Sequence, residues 1–365
     1  MLKAKDLGTY VCTVDNHGLQ TITSERYNCT FNFCNGYSER WGRTKEDNNT
    51  PPVLEVIDIE ITTKCNGVSG PNGVRVLCPF CYKANGPVGT NMSFETFKEL
   101  FDKLPTTLAQ IAFSADSSLD TNPDTFKIMK YCRENGRNYV VPSISVAQLD
   151  EKRAKQLLDV GVGCIGVSLY DNKEVCYDTI HLLDTMIKEG GYDAQVNIQA
   201  VVANHNFVDL MGVLDDIKSD PRLSNLECIV YLALKQKGRG AGYAGLGQEK
   251  WNRLLDKTSE SISMYGVDVC STKKLAKYFE ETGLPGQEDY METCDAGYYS
   301  AYISVNGLVY PCSFLENVDG WEIGEDLSSK SFEEIWGGER FEAYRAQTAG
   351  VRCMSCDKSC VFWEI

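Results

Sequence analysis

Histidine is scarce. The chain has 365 residues and only three, His17, His181 and His205, which cluster with nothing and read as surface or packing residues. Between His17 and His181 there is none, so no imidazole is at hand to complete a metal site with the cysteines of residues 65–81. Positive charge is also short. Lys and Arg number 36 against 51 Asp and Glu, a formal net charge of −15 spread along the chain. Phosphate binding needs a basic surface, so nucleic acid is not expected as a partner, and the acidity reads as solubility. No apolar run approaches the ~20 residues of a membrane span. The opening MLKAKDLGTYVCTVDNHG has no apolar signal-peptide core. A cytoplasmic protein with no membrane association is the expectation.

Cysteine is the opposite case, with 16. A reducing compartment keeps thiols from pairing, so this many points to metal or cluster binding. Cys132 and Cys176 fall in helical stretches and read as small buried hydrophobes.

Residues 1–52 read as a separate element. Tyr27, Cys29, Phe31 and Phe33 alternate with Asn28, Thr30 and Asn32, the period of a half-buried strand, and Asn35-Gly36 signals a tight turn. From residue 53 to 240 strand and helix alternate. Strands are expected at 53–63, 109–113, 140–146, 164–170, 194–202 and 227–234, with helices between them, which implies a parallel sheet. Each strand has one apolar face and one polar or small face: Ile57, Ile59 and Ile61 oppose Asp58, Glu60 and Thr62. A doubly wound sheet is apolar on both faces, and a closed barrel fills its interior with Val, Ile and Leu. The expected fold is therefore α/β, an open partial (β/α)6 TIM-type barrel with a polar cavity. Residues 241–290 read as a connecting helical segment. Residues 291–365 form a cysteine-bearing module opened by a hairpin, AYISV-NG-LVYPC.

Cys65, Cys78 and Cys81 follow the first barrel strand in a C-x12-C-x2-C array. Gly67, Gly70, Pro71 and Gly73 let the loop fold back and present backbone N–H groups to sulfur. Structural zinc needs four ligands, and Cys29 or Cys34 is the alternative source of the fourth. Three thiolates on a [4Fe–4S] cluster leave one iron open.

A strand, a three-cysteine loop whose last pair brackets an aromatic (Cys78-Pro79-Phe80-Cys81), and βα repeats together resemble the radical S-adenosylmethionine superfamily. The spacing usual there is C-x3-C-x2-C, so this chain carries an insertion. The resemblance implies that Cys65, Cys78 and Cys81 hold the cluster and that S-adenosylmethionine binds the open iron beside Phe80. Ser114, Ala115 and Asp116 take the places of the family's Gly-Gly-Glu, with Asp116 toward the methionine amino group. Ser145, Ser168, Asn197 and Gln199 are candidates for the cofactor's carboxylate and ribose, and the 235–240 loop, KQKGRG, for its adenine. An electron donor such as flavodoxin or ferredoxin is implied.

Cys294, Cys312, Cys353, Cys356 and Cys360 close the chain. The order C-x12-G-x4-C, a gap, then C-x2-C, together with SFEEIWGGERFEAYRAQ, resembles the twitch or SPASM auxiliary-cluster module. It implies one auxiliary [4Fe–4S] cluster on Cys294, Cys312, Cys353 and Cys356, with Cys360 as the alternative ligand. Asp58 and Glu60 project into the expected cavity, where a carboxylate can serve as general base. Cys228 and Cys270 read as structural thiols or hydrogen-atom donors. The expected activity is radical modification of a peptide or protein side chain by oxidation, cross-linking or epimerisation. A small-molecule dehydrogenase and a non-catalytic zinc-binding scaffold are the alternatives.

Overall fold

The computed structural model describes residues 54–348 except 71, 106–107, 109, 136–140 and 283–293, and, before these, the backbone of five strands. Those strands are β1 (Lys5–Asp6), β2 (Val11–Val14), β3 (Leu19–Thr23), β4 (Asn28–Asn32) and β5 (Ser38–Trp41). They pair antiparallel in chain order. The alternating stretch around Phe31 is β4; the Asn35-Gly36 turn lies outside the described residues.

The main body follows the strand–helix alternation of the sequence. Its elements run β6 (Val56–Glu60), the small hairpin β7 (Val68–Ser69) and β8 (Arg75–Val76), α1 (Phe94–Phe101), β9 (Gln110–Ser114), α2 (Thr125–Asn135), β10 (Val141–Val146) and α3 (Glu151–Asp159). They continue with β11 (Cys164–Ser168), α4 (Lys173–Gly190), β12 (Gln195–Val202), α5 (Phe207–Ser219), β13 (Cys228–Ala233), α6 (Gln248–Ser261), β14 (Tyr265–Val267) and α7 (Thr272–Thr282). The C-terminal part holds β15 (Ser300–Ile303), β16 (Leu308–Tyr310), β17 (Glu325–Asp326), α8 (Phe332–Trp336) and α9 (Glu339–Thr348).

The six expected strands stand side by side and parallel, in the order β13-β12-β11-β10-β9-β6. Two additions extend this sheet. The three-residue β14 pairs parallel with β13, a strand too short to show alternation in sequence. At the other edge β15 pairs parallel with β6, Ala301 against Ile57 and Tyr302 against Asp58, and carries the antiparallel β16 and β17 with it. The cysteine-bearing hairpin is thus continuous with the barrel sheet, and barrel and hairpin share one hydrophobic core.

The two strand faces separate as their residues require. Ile57, Ile59, Ile61, Ile165, Val167, Val196, Ile198 and Ala200 are buried beneath the helices. Each of the larger of these side chains contributes about 1.5–3 kcal/mol by leaving water. Helix ends follow local chemistry. Ser93 caps α1 by accepting from the Thr96 N–H at 3.1 Å, and Asp150 caps α3 through Arg153 N–H at 2.7 Å. Ser331 and Glu334 form a reciprocal capping box on α8. Among the described residues, no helix is long and apolar enough to cross a membrane.

Candidate functional site

β6 delivers its chain to the C-terminal edge of the sheet, and the three-cysteine loop begins there. The long insertion is the β7–β8 hairpin, with Val68 opposite Val76. Gly67 makes the turn into it at φ +74°; a Cβ there would lie 2.2 Å from the Val76 carbonyl oxygen, so no side chain fits. The hairpin is tied to neighbouring barrel loops. Ser69 N–H donates to Gln148 Oε1 at 3.0 Å, Asn172 Nδ2 donates to the Ser69 carbonyl at 3.1 Å, and Arg75 pairs with Asp120 at 2.8 Å. Folding the insertion outward this way leaves Cys65 on the same loop rim as Cys78 and Cys81. The Cys65 N–H donates to Gly86 O at 2.7 Å and closes the loop.

The thiols of Cys65, Cys78 and Cys81 are half-buried and unpaired in disulfides. All three act on one group: the Tyr170 hydroxyl is pushed up first by burial and then by the charges of Cys78, Cys65 and Cys81. Backbone N–H groups point at the sulfurs. Gly67 N–H donates to Cys65 Sγ at 3.4 Å, and the Phe80 N–H serves Cys78. Burial nevertheless pushes the Cys78 thiol up to about 12, with Cys81 adding to it and Arg239 opposing it. A bound cation reverses that preference and holds the thiolate. Three soft sulfur donors with amide N–H groups aimed at them fit an iron–sulfur cluster. Among the described residues, no three His, Cys, Asp or Glu side chains come together as the shared ligands of one metal ion. Ligands to a cubane each hold a different iron, so that finding bears on a mononuclear site rather than on a cluster.

The 235–240 loop clamps the trio from above. Arg239 Nε donates to the Cys78 carbonyl at 2.8 Å, its Nη1 to Asn85 O at 3.0 Å, and its backbone N–H to Cys81 O at 3.0 Å. Gly238, at φ +58°, has the Tyr82 carbonyl oxygen 2.4 Å from where a Cβ would sit. The loop expected beside adenine is thus packed on the cysteine loop itself.

The other sequence candidates divide into groups. Phe80 is buried, and its ring meets those of His205 at 5.7 Å, Tyr170 at 6.2 Å and Tyr243 at 6.3 Å. Ser145 Oγ donates to Gln199 Oε1 at 2.7 Å across β10 and β12. Gly166 on the strand between makes room for this, since a Cβ there would lie 2.3 Å from the Gln199 amide. Ser168 sits at the end of β11 and hydrogen-bonds the Tyr170 hydroxyl, which brings it toward the cysteines. Asn197 lies deeper: it is buried, its Nδ2 donates to Cys164 Sγ at 3.3 Å, and its Oδ1 has no hydrogen-bond partner. Ser114 is exposed at the end of β9. Asp116 behaves differently from the sequence expectation. It is buried, one oxygen accepts from Ser118 and Asp120 N–H groups, and the other from Thr121 Oγ1 at 2.8 Å. Both oxygens organise their own loop.

Asp58 and Glu60 line the inner face of β6 but have different surroundings. Burial, then the charge of Asp295, raises the Asp58 carboxyl to about 7. Glu60 is also raised by burial, and Lys83 opposes the rise at 3.3 Å. Lys83 further donates to the Tyr302 hydroxyl at 2.7 Å and pairs with Glu316, while Tyr302 donates to Glu60 Oε2 at 3.0 Å. Glu60 is therefore one member of a fixed ion network, and Asp58 is the group whose proton is exchangeable near neutral pH.

Cys294 and Cys312 flank the β15–β16 hairpin, both half-buried. Burial holds the Cys312 thiol high, followed by the charge of Cys270, with Cys294 also contributing. Phe314 N–H donates to Cys312 Sγ at 3.5 Å. Cys270 thus stands near the second cysteine set. Cys228 starts β13, at the opposite end of that strand from the trio's rim, and its thiol donates to Ile229 O. Cys353, Cys356 and Cys360, and the alternative zinc ligands Cys29 and Cys34, have side chains outside the described residues. Sequence reasoning passed over Tyr82, Lys83, Tyr170, Tyr302 and Glu316. Tyr82 and Lys83 adjoin Cys81, the one signal that could have marked them.

Residues 294–358 match the SPASM family, described as an iron–sulfur cluster-binding domain. The match falls within the C-terminal cysteine-bearing module. The whole architecture is similar to Streptococcus suis SuiB, with a TM-score of 0.64 and 12% identity over 92% of this chain and 90% of that one. SuiB bound to its precursor peptide SuiA aligns with a TM-score of 0.62 and 14% identity, over 85% of this chain and 71% of that one. SuiB bound to S-adenosylmethionine aligns at 0.59 and 14%, over 83% and 70%. The likeness shows the fold: an open, parallel α/β sheet followed by a C-terminal module, as in SuiB. A comparison with curated protein sequences finds no match.

Proposed function

We propose that this chain is a radical S-adenosylmethionine enzyme that modifies a peptide side chain. The observation that carries the reading is the closed loop that holds Cys65, Cys78 and Cys81 after β6, tied by Cys65 N–H to Gly86 O at 2.7 Å and by Arg239 to the carbonyls of Cys78 and Cys81 at 2.8 and 3.0 Å. The peptide class rests on the fold shared with SuiB, which has been seen with its precursor peptide. Cys65, Cys78 and Cys81 would hold a [4Fe–4S] cluster, and S-adenosylmethionine would complete it. Cys294 and Cys312, with Cys353 and Cys356, would hold one auxiliary cluster.

With a flavodoxin or ferredoxin as one-electron donor, these residues would hold a group whose chemistry is hydrogen-atom abstraction from substrate. The chain's own work is positional. Arg239 and the Gly238 turn fix the carbonyls of Cys78 and Cys81 and so hold the thiolates. Ser145, Gln199 and Ser168 offer polar atoms on three adjacent strands to a ribose or a carboxylate. Phe80 and Tyr243 give an apolar, aromatic wall that excludes water from a reactive centre. Asp58, with its carboxyl near 7, can take a proton released when substrate is oxidised.

The test is anaerobic reconstitution with iron and sulfide, then reduction in the presence of S-adenosylmethionine. A brown protein that forms 5′-deoxyadenosine and methionine is expected. A colourless protein that binds zinc and leaves S-adenosylmethionine intact would support the scaffold reading instead. Incubation with short peptides encoded beside this gene then separates a peptide modifier from a small-molecule dehydrogenase.

A further inference from the structure

The two cysteine sets are joined by a short seam. Tyr82 directly follows Cys81, and Ser313 directly follows Cys312. The Tyr82 hydroxyl donates to Ser313 Oγ at 3.3 Å. The Tyr82 ring packs edge-on against Phe314, with centroids 4.6 Å apart. Phe314 is the residue whose N–H reaches Cys312 Sγ. Lys83 continues the seam through Tyr302 and Glu316. Lys237, from the loop that clamps Cys78, donates to the Phe314 carbonyl at 3.4 Å. From Cys81 to Cys312 the path crosses one hydrogen bond and one ring contact. A tyrosine that only filled space would need no hydroxyl; here the hydroxyl meets the buried neighbour of a cysteine in the other set.

Resting on the function proposed above, we propose that Tyr82 is a positioning residue that couples the two cysteine sites. Its contacts with Ser313 and Phe314 make occupancy of the auxiliary site stiffen the loop that holds the first cluster. Elements that share a hydrogen bond and a packed ring move together, so the sites load and lose iron interdependently.

The experiment uses the full chain, reconstituted anaerobically. The readout is the rate at which the S-adenosylmethionine-sensitive electron paramagnetic resonance signal disappears in excess EDTA. Tyr82→Phe and Ser313→Ala each remove only a hydroxyl and keep the ring contact. Each is expected to speed the loss about five-fold, the scale of one buried hydrogen bond. The double variant is expected to be no faster than either single variant, and Cys312→Ala is expected to speed the loss without further effect from Tyr82→Phe. Single-variant rates within about two-fold of the unaltered protein, or effects that multiply in the double variant, overturn the coupling. A colourless unaltered protein overturns the functional reading and the coupling with it; a brown one with unaffected variants overturns the coupling alone.

Discussion

Gly238→Ala strikes the first cysteine loop without touching a cysteine. Gly238 has φ +58°, and an alanine there bears the left-handed penalty of about 1–2 kcal/mol. Its Cβ would also sit 2.4 Å from Tyr82 O and 2.7 Å from Cys81 O, both backbone atoms. Ordinary carbon–oxygen contact is near ~3.5 Å, so the loop must retreat by about 1 Å. Such overpacking costs about 1–3 kcal/mol. Gly191 is the control: its φ is +65° and nothing lies within 4 Å of where a Cβ would sit, so Gly191→Ala carries the backbone penalty alone. Anaerobic urea unfolding and iron content per chain read the two effects. Gly238→Ala is expected to be about 1–3 kcal/mol less stable than Gly191→Ala. It should also lose first-site iron, because Cys81 and Tyr82 are the residues displaced. Equal stability and equal iron in the two variants would refute the claim that this turn holds the cysteine loop.

Other outcomes follow from single residues. Asp58 is raised from 3.8 to about 7 in the folded chain. Its folded form therefore keeps a proton that the unfolded chain gives up, and stability falls as pH rises from about 4 through about 7, by up to about 4 kcal/mol. Asp58→Asn should remove that fall between about pH 4 and pH 7 in urea unfolding; an undiminished fall would show that Asp58 is not the group. Gly166→Ala places a Cβ against the flexible Gln199 side chain, so Gln199 leaves Ser145 while the fold persists. S-adenosylmethionine affinity should weaken about five-fold, the size of one hydrogen bond, with urea stability little changed; unchanged affinity in calorimetry would remove Gln199 from the cofactor site.

The barrel was legible because each strand kept its polar and apolar faces apart, as Ile57 and Ile59 do against Asp58 and Glu60. Ladder partners at the sheet edges were not. Tyr265–Val267 is too short to carry a period, and β15 joins β6 across most of the chain length, which no local pattern encodes. That Cys65, Cys78 and Cys81 share one loop after the first barrel strand was legible from the strand pattern. The seam and ion network were not, because Tyr82 meets Ser313 231 residues away and Lys83 meets Glu316 233 away. Asp116 was misdirected for a related reason. A carboxylate after a strand can face a cavity or its own loop, and the following Ser-Ser-Leu-Asp-Thr turn offered donors close at hand.

The most direct measurement is electron paramagnetic resonance of the reduced, reconstituted Cys312→Ala protein with and without S-adenosylmethionine, beside the same chain also carrying Cys65→Ala. A [4Fe–4S] signal that changes on adding S-adenosylmethionine, and is lost with Cys65, is the predicted result. A signal indifferent to S-adenosylmethionine, or one that survives without Cys65, would contradict the open iron site on which the account stands.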